Sequence, residues 1–283
     1  MLGTGLLDRL TVGDHVCWLV DDDRLRMREI AGFVRAGFRD HHRIVYCGDC
    51  PEAVLACIDE LGVDTAAALA SGQLEATTAE ASYLASGVFE PESVLQRWAP
   101  MARAARAAGY AAVRVLGDMS WAGRGVPGQE HLCRYESQIN RVVLDNELIG
   151  VCAYDRRTMD AVQLRRLAWQ HPGIAASGTP YDERLALRIR RTRDPAGLAL
   201  SGEVDLAGRN ALRTVIEHVF ADCGSDDVTV DVSELRFADR AAARILVRAG
   251  SGTGRLRLAG CSSTLRRLLA YSGADDAPGL TVD

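Results

Sequence analysis

The sequence predicts an α/β protein built as two domains. Three observations lead there: strand-like and helix-like segments alternate through residues 16–170, a Gly/Pro-punctuated stretch follows at 171–181, and the remainder carries a second, shorter β-β-α-β-α-β-α order. Alternation of this kind implies a mostly parallel sheet with helical crossovers. A length of 283 residues suits two domains. We expect domains at residues 1–175 and 185–283, joined by a linker at 176–184.

In chain order, strands are expected near Val16–Val20, Ile44–Cys47, Leu74–Thr77, Ala112–Leu116 and Ile149–Tyr154. Helices are expected over Arg24–Phe38, Glu52–Leu61, Ser93–Ala108, His131–Asn146 and Met159–Gln170. In the first of these, Leu25, Ile30, Phe33 and Val34 recur at the helical period. The linker reading rests on His171-Pro172-Gly173 and Gly178-Thr179-Pro180, which punctuate rather than propagate structure. Beyond it, Gly208–Phe220 forms an amphipathic helix with Leu212, Val215, Ile216 and Val219 on one face. Val228–Val232 reads as a strand. Asp239 then caps an alanine-rich helix through Ile245 and Leu246. A strand at Leu256–Leu258 and a helix at Ser263–Ala270, capped by Ser262 or Ser263, complete the order.

Composition narrows the function. Hydrophobic residues make up 48% and charged residues 25% of the chain, which is ordinary globular composition. No apolar run reaches membrane-span length and the start lacks a signal-peptide layout, so a cytoplasmic location without membrane contact is expected. All 33 basic residues are arginine. Without lysine there is no P-loop lysine, Schiff base or lysine general base. A net charge of -5 with no basic stripe in the sequence argues against direct nucleic-acid binding. Residues 181–283 balance at 15 Arg against 15 Asp plus Glu, leaving the acidic excess in the N-terminal part. The eight scattered cysteines do not suggest a disulfide framework. Cys57, Cys152, Cys223 and Cys261 read as core or incidental thiols.

Several residues could carry binding chemistry. His15 and Cys17 sit at period two on one strand and so project to one face. Asp118 ends a central strand and Trp121 follows it, where parallel sheets open their ligand crevice. Tyr135 and Glu136 lie on one predicted helix. Cys47 and Cys50 form a CxxC pair between a strand and a helix, a setting that can activate a thiolate. Together with His15 and Cys17 the pair could also make a three-cysteine, one-histidine metal set. Packing alone is the alternative for each. Nucleotide hydrolysis is not expected: the glycine-rich loop is missing, and Asp21, Asp22 and Asp23 stand where it would lie. Nucleotide binding without hydrolysis stays open, and no nucleophile–base–acid trio is readable.

Two resemblances extend this reading. Gly13-Asp14-His15-Val16-Cys17, Gly117-Asp118-Met119-Ser120-Trp121, the Tyr135-Glu136 helix, Cys152-Ala153-Tyr154-Asp155 and His171-Pro172 come in an order that resembles the MEDS sensory domain. That resemblance implies a degenerate RecA-like fold that senses a small molecule. His15, Cys17, Asp118, Trp121, Tyr135 and Glu136 become the expected ligand-binding set, for a small organic effector or a metal ion. The second resemblance runs from Leu198 to Arg248, through Ser201-Gly202-Glu203-Val204-Asp205 and Phe237-Ala238-Asp239-Arg240. It is similar to the STAS domain of anti-sigma factor antagonists, a smaller α/β fold. This implies an anti-sigma factor or related kinase-like partner, met at Asp239, Arg240 and Ala241. In that family a phosphorylatable serine usually follows the aspartate, and here the position is Arg240. Both resemblances are compatible with self-association. The combined expectation is a non-enzymatic bacterial signalling regulator of transcription, with redox or metal control through Cys47 and Cys50 as the alternative.

Overall fold

The computed structural model describes residues 5–176, 185–223, 227–252 and 254–283. The expected linker residues 177–184 lie outside the described residues. Two compact units emerge, one on a six-stranded sheet and one on a five-stranded sheet, with Trp169–Gly173 grouped with the second.

In the first unit, β1 (His15–Val20) leads into α1 (Asp23–Arg39), whose first turn is capped by Asp22 accepting from the Leu25 amide at 2.9 Å. Then come β2 (Arg43–Cys47), α2 (Pro51–Glu60), α3 (Thr65–Ala70), β3 (Leu74–Thr77) and α4 (Ala79–Ser82). The helix α5 (Pro91–Ala107) precedes β4 (Val113–Asp118), and α6 (Leu132–Asp145) precedes β5 (Leu148–Asp155). Helix α7 (Ala161–Ala168) and β6 (Gly173–Ala176) follow. Strand order is β3-β2-β4-β5-β1-β6, and the pairs β3–β2, β2–β4, β4–β5 and β5–β1 are all parallel. Every residue of β4 and β5 is buried, as expected of central strands covered on both faces.

Three features differ from the sequence expectation. Helices α3 and α4 were unanticipated; each is one short turn nucleated by a cap, Asp64 onto the Ala67 amide and Thr78 onto the Ala81 amide. Such pieces are too short to show a period. The segment that read as punctuation contributes β6, because a free sheet edge can recruit four residues whatever their local preference.

In the second unit, β7 (Leu187–Arg193) and β8 (Ala196–Val204) form an antiparallel hairpin. Helix α8 (Arg209–Cys223), β9 (Val228–Ala238), α9 (Arg240–Gly250), β10 (Leu256–Ala259), α10 (Ser263–Tyr271) and β11 (Leu280–Val282) complete it. The order is β11-β10-β9-β8-β7, with β8–β9, β9–β10 and β10–β11 parallel. Burial alternates along β7 and β10, so one face of the sheet carries the core. Ser262 is the residue that caps α10, accepting from the Leu265 amide at 3.2 Å. Strand β9 runs six residues past the expected Val232, to Ala238. Strand β11 was not expected: three residues carry no period and form by pairing with β10.

Candidate functional site

The parallel register sets Cys17 of β1 opposite Cys152 of β5. Period-two projection then puts His15, Cys17, Cys152 and Tyr154 on one face of the sheet. Helix α6 lies over that face. Its Glu136 and Asn140 are one turn apart, and both are buried.

The side chains converge. His15 Nδ1 lies 2.9 Å from Asn140 Oδ1. Asn140 spends its own amide hydrogens on the Glu136 and Ser137 carbonyls, at 3.0 and 3.1 Å. Its oxygen therefore faces His15 as an acceptor, which places a ring proton on Nδ1. The other ring nitrogen, Nε2, points at Cys152 Sγ, 3.4 Å away, and at Glu136 Oε2, 3.5 Å away. Cys152 Sγ stands 3.4 Å from the same carboxylate oxygen, and the Tyr154 hydroxyl donates to Oε1. Burial, then the nearby Glu136 carboxylate, push the Cys152 and Cys17 thiols well above their ordinary range.

A narrow cavity opens beside this cluster, lined by His15, Tyr83, Trp98, Tyr135, Ile139 and Cys152 among others. Its free space is roughly that of one or two water molecules. Two glycines create it. A Cβ on Gly117 would fall 2.2 Å from the Tyr83 hydroxyl, and one on Gly150 would press on the His15 ring at 3.1 Å. Tyr83, Phe89, Trp121 and Tyr135 form an aromatic wall, with Tyr83 stacked on Trp121 at 5.6 Å and Phe89 edge-on to Tyr135 at 5.5 Å.

Of the expected ligand set, His15, Cys17, Tyr135 and Glu136 come together, and Trp121 joins through the aromatic wall. Asp118 does not. It ends β4, where Arg26 pairs with one carboxylate oxygen, the Tyr46 hydroxyl reaches that oxygen at 3.3 Å, and the Ser120 hydroxyl takes the other at 2.6 Å. The cavity runs along the sheet face under α5 and α6 rather than at the carboxyl ends of the strands, because Gly117 and Gly150 leave the room there. Sequence reasoning missed Asn140, Tyr83, Trp98 and Tyr154, and read Cys152 as a core or incidental thiol; it is buried in the core, within this cluster. The Glu136/Asn140 spacing of four, and Cys152 and Tyr154 at period two, were the available signals.

Cys47 and Cys50 behave differently from the CxxC expectation. Cys47 is buried, and burial pushes its thiol up to about 12, opposite to the activation a redox pair needs. Cys50 is exposed in a left-handed conformation, φ 48°, at the start of α2. Neither belongs to the metal-competent group of this unit, which among the described residues includes His15, Glu136 and Cys152. The loop after β1 offers no phosphate cradle: Asp21 pairs with Arg156, Asp22 caps α1, and Asp23 pairs with Arg157.

In the second unit, Asp239 caps α9 by accepting from the Ala242 amide at 2.9 Å, and Arg209 clasps its carboxylate. Burial acts to raise this carboxyl, but Arg209 and the helix amides outweigh it and hold it below its ordinary value. Arg240 is exposed, with Arg244 and Arg248 following at intervals of four along the outer face of α9. None of the three has an ion pair among the described residues. Ala241 is half-buried beneath them. Phe237, 51% exposed, and Leu206, 49% exposed, flank the helix start across the register that sets Glu203 against Phe237. Helix α9 contains no hydroxyl side chain.

These two places define an α/β protein with a buried polar cluster beside an apolar-lined cavity in one unit and an exposed basic and apolar surface on the other. The chain belongs to the MEDS family, the methanogen/methylotroph, DcmR sensory domain, whose model matches residues 14–172. Residues 187–282 match the model of the Mlab, STAS domain. Comparison with curated protein sequences finds no match. Similar solved structures include a KaiC-like protein from the hyperthermophilic archaeon Pyrococcus horikoshii OT3, at 9% identity and TM-score 0.44, covering 67% of this chain and 78% of that one. The flagellar accessory protein FlaH from Methanocaldococcus jannaschii is similar at 11% identity and TM-score 0.43, covering 71% and 92%.

Proposed function

We propose that this protein is a non-enzymatic signalling regulator in which the MEDS unit takes up a small effector and the STAS unit engages an anti-sigma factor or a related kinase-like protein. The observation that carries the reading is the His15–Glu136–Cys152 cluster: buried polar groups beside a cavity, in a unit of a sensory family. The narrow cavity favours an effector of few atoms. Asp118, engaged by Arg26, Tyr46 and Ser120, supports a non-catalytic role over metal-assisted nucleotide chemistry.

The output surface follows from α9. Arg240, Arg244 and Arg248 with Phe237 and Leu206 suit a partner with an acidic rim and an apolar centre. With arginine at position 240 and no hydroxyl on the helix, kinase control at that position is chemically closed. Regulation then falls to the effector, partner abundance or self-association. The cytoplasmic location belongs to the same reading, supported by eight free cysteines and by the lack of any helix long and apolar enough to cross a membrane among the described residues.

The test is binding of the full-length protein to the anti-sigma factor kinases of its own genome, by calorimetry at two salt concentrations. We expect one partner to bind, with affinity falling as salt rises. Arg244→Glu and Phe237→Ala should each weaken it at least tenfold while melting stays unchanged. Binding that is indifferent to both substitutions would remove the α9 surface from the account, and no binding to any such kinase would remove the partner class.

A further inference from the structure

We propose that His15 Nε2, Glu136 Oε2 and Cys152 Sγ are protein ligands of a buried site for Zn2+ or a similar first-row divalent cation. The inference deepens the effector-site reading of this cavity and rests on it, but adds a ligand class and a cysteine not otherwise assigned.

The geometry is the first argument. The three atoms stand 3.4, 3.5 and 3.4 Å from one another. Ligand atoms placed tetrahedrally at zinc's usual bond lengths sit about 3.3–3.6 Å apart. A cation at their common centre therefore needs little movement of any side chain.

The outer shell is the second argument. A metal-binding histidine needs its far nitrogen held by an acceptor, and Asn140 Oδ1 does this while its amide is locked onto two helix carbonyls. The carboxylate is oriented in the same way, Tyr154 holding Oε1 so that Oε2 faces inward.

Charge supplies the third. On binding a dication the Cys152 proton leaves to solvent, and thiolate plus carboxylate neutralise the two positive charges. One nitrogen, one oxygen and one sulfur suit a borderline-soft cation better than magnesium or calcium. His15 and Cys152 both border the cavity.

The experiment uses the full-length protein, stripped with a chelator and titrated with Zn2+ alone and, separately, Co2+ alone. Native mass spectrometry should show one metal per chain, and the cobalt form should display tetrahedral d–d bands with a thiolate-to-cobalt charge-transfer band. Cys152→Ser should abolish the charge-transfer band, and Asn140→Ala should weaken Zn2+ binding by about 10–100-fold. Cys47→Ser should change neither. A wild-type cobalt spectrum without the thiolate band, or zinc affinity unchanged in Cys152→Ser, would overturn the proposal. The wild-type spectrum decides the matter even if Cys152→Ser fails to fold. Loss of the metal proposal with partner binding intact would leave the regulatory reading standing, and the reverse outcome would separate the two equally cleanly.

Discussion

Asn140 illustrates how one side chain sets the chemistry of another. Its amide is committed to two carbonyls, so its oxygen is left to accept from His15 Nδ1. Replacing it with alanine leaves the buried Nδ1–H without that acceptor, at a cost of about 1–3 kcal/mol. Chemical denaturation should register this as a lower midpoint with an unchanged slope. Cys47 gives a pH prediction. The core holds its thiol neutral, raised from 9.0 to about 12, so this stabilisation is complete below pH 9 and disappears as pH climbs towards 12. The difference corresponds to about 4 kcal/mol. Melting temperature should fall across that alkaline window, less steeply in Cys47→Ala; parallel curves for the two proteins would contradict the assignment.

At the scale of elements, caps and glycines fix where the functional groups stand. Asp239 both starts α9 and anchors Arg209, so Asp239→Ala should cost about 1–2 kcal/mol through the lost cap. Hydrogen exchange would show it as fraying of Ala241–Ala243 ahead of the rest of the helix. Strands β4 and β5 depend on small residues for a different reason. Gly117→Ala drives a methyl into the Tyr83 hydroxyl, and the expected overpacking penalty is about 1–3 kcal/mol. Near-ultraviolet circular dichroism should change as the Tyr83–Trp121 stack shifts, and an unaltered spectrum would show that the wall absorbs the methyl without moving.

For the whole molecule, the question is whether the first unit binds nucleotide. The carboxylate at the end of β4 is already engaged by Arg26, and three aspartates fill the loop after β1. ATP at millimolar concentration is therefore expected to leave the melting temperature unchanged, and a concentration-dependent rise would reverse that conclusion. The five-stranded sheet carries its own core, including Leu198, Val230, Leu246 and Leu258. A fragment spanning 185–283 is accordingly proposed to melt cooperatively by itself.

The sequence by itself determined the α/β class, the main strands and helices, and both family resemblances, because apolar periodicity and caps such as Asp239 and Ser262 are local signals. It also gathered His15, Cys17, Tyr135 and Glu136 as candidates, though it placed Asp118 among them and left Cys152 out. Only the tertiary structure shows where those two stand. The partners of Asp118 and Cys152 are distant in the chain, Arg26 lying 92 residues before Asp118 and His15 lying 137 before Cys152. Only the parallel register of β1 on β5, with α6 laid across it, brings a histidine, a carboxylate and a thiol within 3.5 Å of one another.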